Sequence, residues 1–431
     1  ENIPDVITGW NIRFFDIPYL INRTAQVLGM DMIKKFSPWG MVEHREVRRL
    51  NRTEGTYDIR GVQNLDYLEL FQKFGYAYGT QESYRLDHIA HVVLGERKLD
   101  YSEYGDLNSL YKYDYQKFID YNVRDTLLVE RIDKQTNMLG LALTLAYKSN
   151  AVLTAPMGTT KLWETYIYNV MYRNNIVMPA MSRSKSIGQI KGGYVKEPHV
   201  GMHDWVMSFD LNSLYPNIII QYNMSPETLI SADNPIGAKA SNGATFRTDK
   251  KGIIPEIVES LYETRVVTKK EMLQVKQQIE TEGKSDSLIR KATILENKQM
   301  ATKILLNSLY GAMGNRYFRY FDLSIAEGVT TTGQSVIKHG EFSVNKYLQK
   351  VMEDDKDRVI AMDTDSLYVG VGDIVDKFCK GDEINFLNKF ATEAIEPVLE
   401  KAYDNFAKDT NAYSNRMVMG REVIADRGIW T

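Results

Sequence analysis

The sequence is poor in cysteine, in long apolar runs and in excess charge of either sign. Its 431 residues include one cysteine, Cys379, which excludes an internal disulfide and a cysteine-based zinc site and fits a reducing compartment. It has no apolar run of about 18 residues and no signal peptide, so we expect a soluble intracellular protein. The formal net charge of −3 gives no overall signature of nucleic-acid binding, although a local basic groove is compatible with it.

What the sequence does contain is enough length and apolar content for several packed cores. With 431 residues and 43% hydrophobic residues, we expect roughly two to four domains. The chain begins at Glu1 without an initiator methionine, and the apolar segment Asp5–Gly9 predicts a buried strand directly afterwards. Because domains rarely start inside a core strand, we expect that the natural domain extends upstream.

The stretch Val359–Val369 places two carboxylates at the tip of a predicted hairpin. Asp363 and Asp365 lie between two β-rich apolar runs. Residues two apart on an extended chain point to the same face, so both acids could share one cleft. Two like charges that close need a cation, and hard oxygen ligands favour magnesium or manganese. The alternative is a simple acidic turn, since aspartate is common in turns.

A second acid follows a predicted buried strand. Val206–Asp210 predicts a buried strand that ends in an acid, Leu211–Tyr215 predicts a tight turn, and Pro216 suits the first position of a helix. Unpaired backbone N–H groups at such a strand-to-helix turn can hold phosphate oxygens.

Two helices separated by a short break are predicted to form an antiparallel pair. The first spans 255 to about 281 and the second about 288 to 310. On each helix, polar or basic side chains recur at the spacing of one helical face. They are Arg265 and Lys269 on the first helix and Lys303, Asn307 and Tyr310, followed by Gly311, on the second. A charged stripe on a helix is normally a solvated face. The Tyr-Gly pair that ends this stripe is less easily explained as part of a solvated surface.

Weaker signals lie before these segments. Residues 1–137 alternate strand-like and helix-like pieces, with a polar hairpin predicted at 47–59. Tyr121 and Asp125 stand four apart on one face of a predicted helix, which is a weak signal, because such a tyrosine usually packs and such an aspartate is usually solvated. Gly192 and Gly193, flanked by lysines, fit either a phosphate contact or a plain turn.

Three of these segments resemble the family B DNA polymerases. Asp210–Pro216, Lys303–Gly311 and Asp363–Ser366 resemble motifs A, B and C of that family, in the same order. The runs Val195–Pro198 and Ser225–Thr228 are similar to the replicative polymerases of T-even-like bacteriophages. The resemblance covers essentially the whole chain. It implies template-directed addition of deoxynucleoside triphosphates to the 3′-hydroxyl of a DNA primer.

The resemblance also implies roles for individual residues. Two magnesium ions, which manganese can replace, would be held by Asp210, Asp365 and the carbonyl of Leu211, with Asp363 in support. Tyr215 would exclude a ribose 2′-hydroxyl. The implied nucleotide-binding residues are Ser213, Leu214, Tyr215, Arg265, Lys269, Lys303, Asn307, Tyr310 and Gly311, and the implied DNA-binding residues are Gly192, Gly193, Tyr194, Lys196 and Thr364.

The N-terminal part resembles the 3′–5′ exonuclease domain of the family. Asp16 stands in the second exonuclease motif and Tyr121 with Asp125 in the third. Residues 47–59 match the hairpin that helps to part the strands. The first motif, an Asp-x-Glu pair, is expected upstream of Glu1, so we expect weak or no proofreading by this chain alone.

The implied fold is α+β and multidomain: a palm with an antiparallel sheet and helices, helical fingers, and a partial RNase H-like α/β exonuclease domain. The expected divisions are 1–137 exonuclease, 138–181 connecting helices, 182–254 palm, 255–314 fingers and 315–431 palm. The thumb is expected to be missing, and the chain is either a shortened one or the product of a split gene with the thumb on a second polypeptide. Further expected partners are a sliding clamp and primer-template DNA, in the cytoplasm of an infected bacterium.

Two other functions are compatible with the same residues. One is a non-catalytic fragment that binds DNA or partner subunits and needs other segments for chemistry. The other is a metal-dependent nuclease built on Asp16 and Asp125, which the missing carboxylates disfavour.

Overall fold

The chain folds into two compact units that mix helices and strands. The computed structural model describes residues 3–49, 52–181 and 190–431. One unit comprises Glu1–Tyr166 with Glu296–Ala301, and the other comprises Ile167–Leu295 with Thr302–Thr431. The finer domain divisions expected from the sequence stay predictions. Among the described residues, none of the helices is both long and apolar enough to cross a membrane.

The first unit is mainly helical, with one parallel strand pair and one hairpin. Its elements are β1 Val6–Gly9, α1 Asp16–Leu28, α2 Met30–Ile33, β2 Val42–Arg49, β3 Arg52–Ile59, β4 Gln63–Asp66, α3 Tyr67–Phe74, α4 Leu86–Leu94, α5 Leu107–Tyr113, α6 Tyr115–Thr136 and α7 Met138–Lys148, with α8 Thr159–Arg173 running on into the second unit. Short 3₁₀ turns occupy Lys34–Phe36, Gly75–Tyr78, Ser102–Tyr104 and Ala155–Met157.

Strand β1 pairs in parallel with β4, from Val6↔Gln63 to Gly9↔Asp66. The expectation of a buried strand here is wrong, because β1 stays partly exposed. A parallel strand is buried only when both of its faces and both of its edges are covered. Among the described residues, β1 has β4 as its one strand neighbour.

The hairpin expected at 47–59 is present but longer. Strands β2 and β3 are antiparallel from Val42↔Ile59 to Arg49↔Arg52. The residues between the two strands lie outside the described ranges. Both strands consist mainly of charged and polar residues, and Val42, Tyr57 and Ile59 pack with Ile17 and Ile21 of α1.

The second unit is built on a five-stranded antiparallel sheet. Its elements are β5 Val195–Lys196, β6 Gly201–Leu211, α9 Leu214–Gln221, β7 Leu229–Ile230, β8 Ala238–Lys239, β9 Thr245–Phe246, α10 Ile253–Glu282, α11 Asp286–Met313, α12 Leu323–Met352, β10 Val359–Asp363, β11 Ser366–Gly370, α13 Gly372–Phe378, α14 Glu383–Phe390, α15 Glu396–Asp409 and β12 Met419–Trp430. A 3₁₀ turn at Pro226–Thr228 and a π-helical turn at Ala391–Ile395 complete it.

The strand order of this sheet is β12-β6-β11-β10-β5. In β6, the four consecutive residues from Val206 to Phe209 are buried, which requires cover on both faces of the sheet. Helix α12 packs against β10 and β11, and α15 packs against β12. Strands β7, β8 and β9 form a separate three-stranded sheet in the order β7-β9-β8.

The predicted helical pair is confirmed, with α10 and α11 each a few residues longer than expected. Ser285 begins α11, where its hydroxyl accepts a hydrogen bond from the N–H of Leu288 at 3.3 Å. Met272 and Val275 of α10 pack against Ala292 and Leu295 of α11, which closes the pair into an antiparallel hairpin.

A buried arginine ties the start of β10 to its surroundings. Arg358 is 2% exposed. Its guanidinium donates to Asp354 Oδ1 at 2.8 Å and to Asp373 Oδ2 at 2.9 Å, while its backbone N–H donates to Asn345 Oδ1 at 2.9 Å. The hydrogen bonds from Arg358 lower the pKa of Asp354 from its ordinary 3.8 to about 2.

We expect Arg358→Met to lower the free energy of unfolding by about 3 kcal/mol, because two carboxylates would then face each other without their shared cation. Urea unfolding followed by tryptophan fluorescence measures this. The matched control is Lys356→Met, which removes an exposed partner of the same Asp373 and should cost less than about 1 kcal/mol. The pKa of Asp354 is lower in the folded protein than its ordinary 3.8. The stabilisation that its pairing with Arg358 gives the folded state is therefore present above pH 3.8 and is lost as the pH falls towards 2. Equal losses in the two variants would contradict the prediction.

Candidate active site

Antiparallel pairing of β6 with β11 brings Asp210 and Asp365 together. Asp210 lies opposite Ser366 in the register of the two strands. The Ser366 hydroxyl donates to Asp210 Oδ2 at 3.2 Å, and the N–H of Leu211 donates to the carbonyl of Asp365 at 2.9 Å. Two acids that are far apart in the sequence therefore lie side by side at one end of the sheet.

The second acid sits in the two-residue turn between β10 and β11, which closes at the pair Asp363↔Ser366. Thr364 has a φ of +51°, so the chain is not extended from Asp363 to Asp365, contrary to the expectation from the sequence. Asp363 is consequently exposed and Asp365 half-buried. The Thr364 N–H donates to the carbonyl of Tyr194 at 2.9 Å, and its hydroxyl donates to Asp363 Oδ1 at 3.1 Å.

The electrostatics of the pair are unfavourable without a cation. Burial, reinforced by the negative charges of Asp210, Asp363 and Glu422, raises the pKa of Asp365 to about 6. Burial and Glu422 also raise the pKa of Asp210. Within the described residues, neither Asp210 nor Asp365 has an ion-pair partner.

This donor set fits a hard divalent cation. Carboxylate and carbonyl oxygens are the ligands that magnesium and manganese prefer. The described residues contain no cluster of three or more histidine, cysteine or acidic side chains able to hold a metal by themselves. Magnesium usually binds one or two protein carboxylates and completes its shell with water and substrate phosphates, so such a cluster is not required.

Glu422 is a site residue that the sequence patterns do not reveal. It lies on β12 at an irregularity in the pairing with β6, between Arg421 and Val423. Its neighbour Gly420 pairs with Asp210 in that register. Glu422 has no motif around it, and only the pairing of β12 with β6 brings it close to Asp210 and Asp365.

The turn after β6 is held by contacts that the sequence did not show. Ser213 has a φ of +49° and begins α9. The side-chain amide of Asn217, which is buried, donates to the carbonyl of Asn212 at 2.6 Å. The Leu214 side chain is 3% exposed and belongs to the core. A contact between Leu214 and a nucleotide would therefore have to use its backbone.

Tyr215 and Tyr310 are brought together from α9 and α11. Their ring centroids are 4.7 Å apart with an interplanar angle of 38°. Burial and then the neighbouring Tyr310 and Asp365 raise the pKa of Tyr215 to about 12. Gly333 of α12 lies next to the ring, since a Cβ there would be in ordinary contact with Tyr215 Cε1 at 3.4 Å.

The predicted phosphate-binding side chains lie on the helical pair. Arg265 Nε is buried and has no hydrogen-bond partner among the described residues. Lys269 and Asn307 are exposed, and Lys303 is half-buried. A Cβ at Gly311 would meet open space, so this glycine is not required by packing within the described chain.

The glycines before β5 pack against the acidic turn. A Cβ at Gly193 would lie 2.5 Å from Thr364 Oγ1, so only glycine fits there. The carbonyl of Gly192 accepts a hydrogen bond from Gln334 Nε2 at 2.7 Å. Lys338 Nζ lies 4.0 Å from the ring centroid of Tyr194, a cation–π contact.

Lys196 differs from the expectation of a DNA contact. Its Nζ donates to Glu341 Oε1 at 2.6 Å, to Asp357 Oδ2 at 2.6 Å and to the carbonyl of Val359 at 2.7 Å. An ammonium group has three N–H donors, and all three are used. The contacts of Lys196 are therefore structural and leave no donor for a phosphate.

In the first unit, Tyr121 and Asp125 share one lysine. Lys98 Nζ donates to Asp125 Oδ2 at 2.6 Å and to the Tyr121 hydroxyl at 3.1 Å. Asp125 Oδ1 is buried and accepts no hydrogen bond from the described residues. Asp16 begins α1, where burial raises the pKa of its carboxyl.

We expect Asp365→Asn to stabilise the metal-free protein at pH 7, since it removes one of the repelling charges. After allowance for solvent screening, the gain in the free energy of unfolding should be about 1 kcal/mol. The same change should abolish the rise in melting temperature that magnesium gives the wild type. Thermal melting in EDTA and in MgCl₂ measures both effects. The control is Asp376→Asn, an exposed acid on α13, and a magnesium response that survives in Asp365→Asn would count against the site.

Comparison with known proteins places this arrangement in a family. The sequence matches DNA polymerase family B over residues 151–418 and the exonuclease domain of the same family over residues 1–89. The DNA-directed DNA polymerase of Enterobacteria phage T4 is 32% identical over 98% of this chain, and that of Escherichia phage RB69 is 30% identical over 99%. The DNA polymerase delta catalytic subunit of Candida albicans is 28% identical over 93%.

These relatives are longer than the present chain. The matched region is 54% of each phage polymerase and 40% of the Candida protein. The chain thus spans about half the length of the phage relatives. The match to the family over residues 151–418 covers more than half of the chain and includes the strands and helices that carry Asp210, Tyr310 and Asp365. The chain belongs to DNA polymerase family B.

Proposed function

We propose that the chain performs template-directed DNA synthesis, adding deoxynucleoside triphosphates to a primer 3′-hydroxyl. The observation that carries the proposal is the juxtaposition of Asp210 and Asp365 on paired strands with no protein cation between them in the described chain. In this proposal the five-stranded sheet with α12 and α15 is the palm, and the α10–α11 pair is the fingers.

Asp210, Asp365 and the carbonyl of Leu211 would hold two magnesium ions. When bound, the metal lowers the pKa of the primer hydroxyl and neutralises charge on the triphosphate. The protein's own contribution is to fix the two carboxylates through the Ser366–Asp210 and Leu211–Asp365 hydrogen bonds. Asp363 and Glu422 add negative charge around them, which strengthens the attraction for cations.

The triphosphate would lie against the helical pair. Arg265, Lys269 and Lys303 supply positive charge, and Asn307 supplies an amide donor. The buried and unpaired Nε of Arg265 is the specific support for a phosphate ligand, since such a group is costly to leave unsatisfied.

The sugar of the incoming nucleotide would rest on Tyr215. The tilted contact with Tyr310, at 4.7 Å between ring centroids, supports a fixed position of the ring. A fixed ring can exclude a ribose 2′-hydroxyl by steric overlap. Ser213, through its backbone, and Gly311 complete the proposed nucleotide contacts.

The primer-template duplex would pass beside the acidic turn. Thr364, Gly192, Gly193 and Tyr194 form one packed surface there, joined by the Thr364–Tyr194 hydrogen bond. A Cβ at Gly192 would meet open space, so a DNA strand could approach the backbone closely there. A second polypeptide that carries a thumb, and a sliding clamp, remain proposed partners.

We also propose a residual proofreading role for the first unit. The buried, unpaired Oδ1 of Asp125 and the Lys98 contact to both Tyr121 and Asp125 support a site for an anionic substrate with a cation. Asp16 would join that site.

Primer extension tests the main proposal. With magnesium and a primed template, we expect wild-type extension, alone or with an added polypeptide carrying the thumb of a phage relative. Asp365→Asn should lower the rate by at least about a hundredfold, because it removes a charge that acts in the transition state. Asp376→Asn is the control and should extend normally. If the wild type binds primed DNA but extends it under neither condition, the chain is a DNA-binding fragment.

Sugar selection tests the role of Tyr215. Tyr215→Ala should incorporate ribonucleoside triphosphates at least about tenfold more efficiently relative to deoxynucleotides, because the ring no longer blocks the 2′-hydroxyl. Single-nucleotide incorporation of dCTP and of CTP, which differ only at the 2′ position, measures the ratio of kcat/KM values. Tyr172→Ala, which removes an exposed ring on α8, should leave the ratio unchanged. An unaltered ratio in Tyr215→Ala would rule out a steric gate at this ring.

A further inference from the structure

The strand-to-helix turn of Asp210 is connected to the start of α10 through one buried amide. Asn223, just after α9, is 0% exposed. Its Nδ2 donates to the carbonyls of Arg247 and Lys250, each at 2.8 Å, and its Oδ1 accepts from the N–H of Gly252 at 2.8 Å. The whole amide is therefore committed to the segment that leads into α10. Asn223 has a φ of +56°, a conformation that asparagine tolerates better than most residues.

Two more side chains bind the next N–H groups of the helix. Glu227 Oε1 accepts from the N–H of Ile253 at 2.6 Å, and the Ser225 hydroxyl lies 3.4 Å from the N–H of Ile254. The first N–H groups of a helix have no partner inside it, so these side chains satisfy donors that would otherwise be unpaired. A carboxylate is the favoured charge at this end of a helix.

The acceptors are themselves held in place. The Ser225 hydroxyl donates to Glu227 Oε2 at 2.7 Å. Thr228 Oγ1 lies 2.5 Å from the carbonyl of Asn223 and accepts from the N–H of Ser225 at 3.0 Å. Ser225 and Thr228 are buried. A Cβ at Gly252 would lie 2.8 Å from Ser225 Cβ, so the helix starts directly against this network.

Ion pairs extend the attachment along the first turns of α10. Glu259 contacts both Lys251 and Arg416. The N–H of Arg416 donates to Gln221 Oε1 at 2.8 Å, and Gln221 is the last residue of α9. The base of α10 is thereby joined to the helix that follows Asp210 and to the segment that precedes β12.

We propose that Asn223, Ser225, Glu227 and Thr228 form a helix anchor whose task is to position Arg265 for the triphosphate of the incoming nucleotide. This inference rests on the proposed function. The four side chains are positioning residues, since they bond the start of α10, the segment before it or one another, and not the nucleotide. They connect the end of α9, the helix that follows Asp210, to the helix that carries Arg265.

Because α10 is long, a small tilt at its N-terminal end produces a large displacement of Arg265. Arg265 lies 12 residues after Ile253, which is about 18 Å along the axis at 1.5 Å per residue. A tilt of about 5° at the base would therefore move Arg265 by about 1.5 Å. Displacements of about 1 Å in a substrate-positioning group can cost roughly a hundredfold in rate.

A purely structural network would behave differently. Its loss would lower the melting temperature and would leave the affinity of the folded enzyme for nucleotide unchanged. The discriminating measurements are therefore the KM for nucleotide in the folded variants and the orientation of α10.

Glu227 provides the cleanest variants, because its side chain is exposed and its removal leaves the core intact. Glu227→Ala should raise the KM for dTTP in primer extension roughly tenfold or more, with the Kd for primer-template changed by less than about twofold. Glu227→Gln keeps an oxygen that can accept from Ile253 and should recover most of the loss. Asn223→Ala should have a larger effect if it folds. Glu280→Ala, an exposed acid near the far end of α10, is the matched control.

The orientation of α10 can be measured without an activity assay. In a Cys379→Ser background, spin labels at Lys270→Cys on α10 and Lys401→Cys on α15 report one distance by pulsed electron resonance. The distribution should broaden or shift in Glu227→Ala and stay as in the wild type in Glu227→Gln and Glu280→Ala.

The outcomes separate this inference from the proposed function. If the wild type extends primers while Glu227→Ala and Asn223→Ala keep its KM for dTTP and its spin-label distance, the helix anchor has no positioning role and the proposed function stands. A lower melting temperature with an unchanged KM also overturns the positioning role. If the wild type neither extends primers nor binds a fluorescent dTTP analogue on primed DNA, the proposed function fails and the inference fails with it.

Discussion

The pairing of β6 with β11 is the interaction on which the rest of the second unit depends. Its register sets Asp210 opposite Ser366 and so places Asp365, the residue before Ser366, next to Asp210. The two carboxylates repel each other, and this repulsion together with burial raises the pKa of Asp365. Other groups of the protein must therefore hold the two residues together. The Leu211 N–H and the Ser366 hydroxyl hold the backbone and one carboxylate in place. The hydrogen bonds of the protein itself therefore hold the two acidic residues side by side against their repulsion.

The helices then take their positions from that sheet. Helix α9 begins three residues after Leu211, and Asn223 at its end reaches the segment before α10. Tyr310 of α11 meets Tyr215 of α9, so the second helix of the pair also contacts the element that follows this turn. The groups proposed to act on metal, triphosphate and sugar are all connected to one strand-to-helix turn. This connection would hold the residues of the long helical pair in position next to the carboxylates on the sheet.

The sequence was sufficient for elements that depend on local spacing, since α10 and α11 follow from their helical periodicity. Asp210 and Asp365 lie in short runs of informative residue types and are brought together by strand pairing, while their roles stay predictions. Sequence was insufficient wherever a contact depends on strand pairing. Glu422 reaches the site only through an irregular β12–β6 register, and Lys196 has the composition of a phosphate contact but is occupied by Glu341 and Asp357. The burial of β1 was misjudged because apolar composition does not reveal how many neighbours a strand has.

The contact between Gly193 and Thr364 limits which substitutions can accumulate at these two positions during evolution. Thr364 is a β-branched residue at a φ of +51°, and its hydroxyl lies where a side chain at residue 193 would begin. Any side chain at 193 therefore requires a smaller residue or a different turn at 364, although 171 positions separate the two in the sequence. In related sequences the residues at these two positions should therefore vary together, because they join the segment before β5 to the tip of the acidic turn.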